Sequence, residues 1–335
     1  MSAPLIRRVF AALPVGITRT WLRRILLANL VAQVGIVLTG GVVRLTGSGL
    51  GCPTFPQCVP GSYIPVLNQP QGVHKYIEFG NRMLINVVSV LAAAALLAVL
   101  RQVRAGQGGR RLLVLGVVPL VGVMVQALIG GITVLTELNP AVVALHFLVS
   151  MGLVAGSTLL LLVALAEADR APAAAIDGDP GPGVGVLTRW LAAAAAVTAA
   201  LVLTLGTMVT GSGPHSGDAA DPNRFDFDIP LVTRMHSGLV WVFVMLVIAL
   251  LVSLVRSGGP VDARRWATAL LLVTLGQGVI GYLQYALGVP AVLVGIHMLG
   301  ASLFVITTTG TVRAAFRRRA VGPAVGTPNE GLVRA

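Results

Sequence analysis

Eight stretches of this 335-residue chain are apolar for about 20 residues at a time, and nothing else in the sequence restricts its fold as strongly. They fall at roughly 22–43, 79–100, 112–135, 141–166, 187–210, 231–255, 266–287 and 291–312. Each is long enough to cross a bilayer as a helix. Within lipid the backbone must satisfy its own hydrogen bonds, so the stretches are helices and not strands. The predicted fold class is an all-α polytopic membrane protein with eight transmembrane helices. The basic segment before the first stretch lacks a cleavable signal pattern and runs straight into that helix.

A formal net charge of +12 raises the question of nucleic acid, and the distribution of charge answers it. With eight spans, both termini lie on one side. All but five of the 24 basic residues fall on that side; Arg44, Lys75, Arg82, Arg224 and Arg234 are the exceptions. Basic residues gather on the cytoplasmic side of membrane proteins, so both termini are expected there, in the cell membrane. The arginines are topology signals, and nucleic acid is excluded as a partner.

The chain reads as two four-helix halves. Gln126-Ala-Leu-Ile-Gly130 runs on to His146 and Gln277-Gly-Val-Ile-Gly281 runs on to His297, with the same glutamine-to-histidine gap. Thr46-Gly-Ser-Gly49 and Thr210-Gly-Ser-Gly213 follow the first helix of each half. An even number of spans per half makes this a parallel repeat, unlike the inverted repeats of many transporters. The expected units are residues 1–166, a cytoplasmic linker of Pro, Gly, Ala and Asp at 167–186, the second half at 187–319 and a cytoplasmic tail at 320–335.

Ionisable side chains at membrane depth are costly and usually functional. His146 lies six residues after Pro140, His236 six after Pro230 and His297 seven after Pro290. All three helices enter from the extracytoplasmic side, which puts each histidine roughly 10 Å below its helix mouth. Asn81 takes the equivalent place on the second helix. Two pockets follow, Asn81 with His146 and His236 with His297. Facing imidazoles in an apolar helical bundle suit axial ligation of haem iron. The plainer alternative is that each histidine hydrogen-bonds a neighbouring helix. Helices 4, 6 and 8 offer no carboxylate beside their histidines, which disfavours zinc or di-iron.

Glu78 shares a helix face with Asn81 and His74. It either projects into the first pocket to move protons or sits at the interface, solvated or paired with Arg82. His74 and His215 lie at the outer loops, where solvation is the plainer expectation. Arg82 and Arg234 stand at the pocket mouths, placed either to pair with propionates or to anchor helices at the headgroups. Cys52 and Cys58 lie in the outer loop between helices 1 and 2, on the oxidising side where disulfides persist. A bridge there is either structural, contributing about 2 kcal/mol, or redox-active.

Gly-Gly-Val-Val-Arg44-Leu-Thr-Gly-Ser-Gly-Leu-Gly-Cys52-Pro after helix 1, Glu78-Phe-Gly-Asn81-Arg82 on helix 2 and lone histidines on helices 4, 6 and 8 resemble the haem A synthase family. The resemblance runs from about Trp21 to Arg313. It implies oxidation of the C8 methyl of haem O to a formyl group by two hydroxylations and loss of water from a geminal diol. It implies a permanent haem b in the second half, ligated by His236 and His297. It also implies a haem O pocket in the first half, where His146 matches a family ligand and Glu78 the essential carboxylate. Cys52 and Cys58 match a pair found in many bacterial members. A haem O-making enzyme and a quinone or other electron acceptor are the implied partners, and a homo-oligomer is left open.

One position departs from the family. Its helix-2 motif is commonly Glu-x-x-His-Arg, and here the histidine is Asn81, a poor iron ligand. Three consequences stay open: iron held by His146 alone, His74 as a substitute, or loss of activity. A b-type cytochrome serving only electron transfer and a haem transporter remain as rival functions.

Overall fold

The computed structural model describes residues 15–169, 184–218 and 222–317. Most of the linker and the tail at 320–335 lie outside the described residues, as do Arg7, Arg8 and Arg170. Eight helices carry the described chain: α1 Arg19–Leu45, α2 His74–Arg104, α3 Arg110–Leu135, α4 Pro140–Ala168, α5 Val186–Ser212, α6 Ile229–Arg256, α7 Val261–Ala286 and α8 Ala291–Phe316. Each is long and apolar enough to cross a membrane. Among the described residues there is no β-strand, only isolated bridges at Ser48–Asp218 and Val59–Ser62.

Helix starts are set by the residues that precede the apolar runs. Thr18 accepts from the Trp21 N–H, Asn139 from Ala141 and Asp228 from Leu231, each satisfying one otherwise unpaired amide. Pro140 and Pro230 occupy first-turn positions, where a missing N–H costs nothing. The largest departure from the hydropathy reading is at α2. It begins at His74, so Glu78 and Arg82 lie within the helix and not at its opening. Apolar periodicity misses this turn because Lys75 and Glu78 are polar yet buried.

Within each set of four, the helices pack in the same scheme. α1 meets α2 and α4, α2 meets α3, and α3 meets α4; α5 to α8 repeat these contacts. The sets join along a seam where α4 and α8 pack together, α1 meets α8, and α4 meets α5. Exchanging the two sets maps this seam onto itself. Leu22, Leu26 and Leu30 of α1, Val154 and Leu160 of α4, and Phe304 and Val305 of α8 form the buried core there. Small residues such as Ala92, Ala95 and Ala98 on α2 let backbones approach where lipid gives no hydrophobic drive.

The outer loops are also joined. Arg44 at the end of α1 donates through Nε to the His215 carbonyl at 2.5 Å and through Nη2 to the Thr210 carbonyl at 2.8 Å. The Gly49 N–H donates to the Gly217 carbonyl at 2.8 Å. Leu138, in the turn between α3 and α4, packs against the Cα atoms of Gly49 and Gly217, where side chains would not fit.

Candidate functional site

Four residues share one level. Asn81 and His236 lie seven residues into their helices, and His146 and His297 six, which places all four about 10 Å below the helix starts. Each histidine ring lies against a glycine of a neighbouring helix. A Cβ on Gly130 would come within 3.3 Å of His146 Cε1, one on Gly206 within 3.2 Å of His236 Cε1, and one on Gly281 within 3.7 Å of His297 Cε1. A Cβ on Gly40 of α1 would come within 3.9 Å of the Asn81 amide nitrogen.

In the second half, His236 of α6 and His297 of α8 stand at the same number of turns, about two, from their helix starts. His236 Nδ1 lies 3.1 Å from the Val202 carbonyl, so Nδ1 carries the hydrogen and donates it. Nε2 is then the nitrogen with a lone pair to offer a metal. His297 Nδ1 is buried without a partner. Two imidazoles at one level of an apolar bundle, each beside a glycine-cleared wall, fit the donor set of a macrocycle held through its iron.

In the first half, His146 Nδ1 and Asn81 Oδ1 are both buried and unpartnered. Glu78, one turn before Asn81, is only 5% exposed, which removes the solvated alternative. Its carboxylate accepts the Cys52 N–H at 2.5 Å through Oε2 and two Arg82 N–H groups through Oε1. Arg82 also donates to the carbonyls of Cys52 at 2.7 Å, Thr54 at 3.0 Å and Gln57 at 3.3 Å. These bonds use all five N–H groups of the guanidinium. Arg82 is therefore a clamp on the loop between α1 and α2, and none of its donors is left for a propionate.

That loop is closed by the Cys52–Cys58 disulfide, and both cysteines are buried. Gly51 presses on the first residue of α2: a Cβ there would stand 2.2 Å from the His74 carbonyl oxygen. Gln69 reaches back to the Gly51 carbonyl at 2.5 Å. Lys75 Nζ donates to the carbonyls of Val66 at 2.6 Å and Leu67 at 2.8 Å. The result is a packed lid over the outer end of α2, with the Glu78 carboxylate as its internal anchor.

The remaining residues singled out by sequence make contacts of their own at the outer ends of the helices. His74 is the first residue of α2, a full seven positions before Asn81, and its Nδ1 pairs with Ser48 Oγ at 2.8 Å. His215 is half-buried and its Nε2 lies 3.0 Å from the Val289 carbonyl, so it joins two outer turns and is not simply solvated. Arg234 is exposed and donates Nε to the Pro230 carbonyl one turn back at 3.2 Å. Sequence reasoning missed Gln126 and Gln277 as contacts of the histidines, although their shared spacing was the signal. Gln126 Nε2 donates to the His146 carbonyl at 2.9 Å, and Gln277 Nε2 to the His297 carbonyl at 2.8 Å.

Fold and site define a polytopic membrane protein that sets single histidines at one level of two four-helix bundles. The family model for COX15-CtaA, described as cytochrome oxidase assembly protein, matches residues 23–216, more than half of the chain, and the chain belongs to that family. Its curated relatives are named haem A synthase. That from Bacillus pumilus is 37% identical over 137 residues, covering 40% of this chain and 42% of the relative. That from Lysinibacillus sphaericus is 34% identical over 151 residues, 45% and 47% of the two chains. That from Geobacillus kaustophilus is 30% identical over 143 residues, 42% of each. The chain thus spans less than half the length of these relatives. The family match contains Glu78, Arg82, His146 and both cysteines, while His236 and His297 lie beyond it.

Proposed function

We propose that this protein is a haem A synthase in which the two halves do different work. The second half keeps a haem b between His236 and His297. The first half binds haem O at His146, next to Glu78, and its C8 methyl is oxidised to a formyl group. The observation that carries this is the placement of Glu78. A buried carboxylate lies one helical turn from Asn81, in the half that has one histidine at this level, and among the described residues the histidine pair of the other half has no buried carboxylate one turn away.

The asymmetry at Asn81 supports the division. A haem held by two imidazoles has no vacant position and suits electron transfer, which is the chemistry the bound haem b supplies. A pocket with an amide opposite a single imidazole can release its haem, as a substrate site must. Each hydroxylation takes one oxygen from water and releases two electrons and two protons (CH3 + H2O giving CH2OH, then CH(OH)2), and loss of water from the geminal diol leaves the aldehyde. Glu78 is the group placed to take up those protons: Oε1 is filled by two Arg82 N–H groups, while Oε2 accepts only the Cys52 N–H and keeps a second lone pair. Arg82 and the disulfide-closed lid keep that carboxylate fixed.

Electrons leave through the second half to a quinone or other acceptor, and haem O arrives from the enzyme that makes it. The pockets face the extracytoplasmic side of the cell membrane, with both termini in the cytoplasm. Co-expression with a haem O-making enzyme, followed by pigment analysis of the membranes, tests this. Haem A is expected with the wild type and not with Glu78→Ala. A b-type spectrum without haem A in the wild type would leave an electron-transfer cytochrome in its place.

A further inference from the structure

The three histidine rings follow one rule of placement. Each lies against a helical glycine, and the residue four positions earlier, one turn away on the same face, is Gln126 for Gly130, Val202 for Gly206 and Gln277 for Gly281. At Val202 the backbone carbonyl takes up the ring Nδ1–H of His236. The absent side chain at Gly206 is what lets the ring reach that carbonyl.

In α3 and α7 the same position carries a glutamine, and two buried atoms are unpartnered at each place. They are Gln126 Oε1 with His146 Nδ1, and Gln277 Oε1 with His297 Nδ1. One atom of each pair is an acceptor and the other is a donor when it carries the ring hydrogen. A buried polar atom left unmatched costs about 1–3 kcal/mol, and joining the two removes both costs. They are neighbours, because each glutamine already holds the backbone carbonyl of the same histidine through Nε2. Gln277 rests in the notch left by Gly300, where a Cβ would collide with its amide. Gln126 instead gains Ser150 Oγ as a further acceptor. The terminal torsion of glutamine is broad, so the amide can turn within this notch toward the ring.

We infer that Gln126 and Gln277 are positioning residues that accept the Nδ1–H of His146 and His297, fixing the tautomer that presents Nε2 to iron. The role of Val202 at His236 is thus taken by a side chain at the other two histidines. This inference rests on the haem-binding function proposed above. A hydrogen bond at Nδ1 makes a ligating imidazole more basic, favours the oxidised metal and fixes the ring plane.

The test is a spectroelectrochemical titration of haem b in the purified full-length protein, comparing wild type, Gln277→Met and Gln277→Glu. Methionine removes both the donor to the His297 carbonyl and the acceptor for Nδ1. Glutamate, compared at a pH where it is ionised, removes the donor and keeps an acceptor. The expected result is a higher midpoint potential and altered low-spin EPR g-values in Gln277→Met, with the Gln277→Glu potential at or below that of wild type. If both variants shift alike, or both lose haem alike, the glutamine only anchors the α8 backbone and the inference fails. A wild type without haem b would remove the proposed function and this inference together.

Discussion

The clamp formed by Arg82 makes a specific energetic claim that a double-mutant cycle can measure. In Arg82→Leu, five donors vanish: two serve Glu78 and three serve the carbonyls of Cys52, Thr54 and Gln57. Glu78 is then left as a nearly buried carboxylate with the Cys52 N–H as its one remaining donor. Removing one partner of a buried pair typically costs about 3–5 kcal/mol. The side chains of Arg82 and Glu78 are 17% and 7% exposed, so about 3 kcal/mol is the appropriate figure here. Most of that cost is the stranded charge. Glu78→Gln in the Arg82→Leu background should therefore recover about 2 kcal/mol, although each single change destabilises alone. Denaturant unfolding in nanodiscs with the Cys52–Cys58 disulfide intact gives the four stabilities. Effects that add within about 0.5 kcal/mol would refute the coupling, and with it the claim that Glu78 anchors the lid through Arg82.

Other outcomes follow from the same geometry. Gly206→Val should displace the His236 ring, because even a Cβ would stand 3.2 Å from Cε1; the purified protein should lose its haem b spectrum while still inserting in the membrane. Cys52→Ser should lower stability by about 2 kcal/mol in the chain-entropy view of a short disulfide loop, measured as a shifted unfolding midpoint under non-reducing conditions. Asn81→His should raise the haem retained per chain, quantified by haemochrome analysis, and slow haem A formation, because a second imidazole makes the substrate pocket hold its haem. Gln33→Leu should raise stability by about 1 kcal/mol, since the Gln33 Nε2 is buried in α1 without a partner and its removal ends that cost; a loss of stability would contradict this.

Hydropathy alone placed the eight spans, because a bilayer accepts only helices closed on their own hydrogen bonds. Depth was also legible: counting residues from Pro140, Pro230 and Pro290 put three histidines on one level, and the helices start where that count needs them to. The lid was less legible. That Arg82 is consumed by Cys52, Thr54 and Gln57 depends on how a 28-residue connection folds back, and loop closure leaves no periodic signal. The start of α2 at His74 was hidden for a related reason, since Lys75 and Glu78 are polar residues buried by that same connection. The partner of His236 is a backbone carbonyl, which every residue has, so no side chain could announce it. The glutamines were visible as a repeat, yet only their hydrogen bonds to His146 and His297 say what the repeat is for.

The division of labour between the halves is tested most directly by the haem content of two variants purified after co-expression with a haem O-making enzyme. His297→Ala should lose the resident haem b. His146→Ala should keep it and fail to accumulate haem A. Loss of haem b from His146→Ala, or its retention in His297→Ala, would contradict the assignment of the kept haem to the second half and the transformed haem to the first.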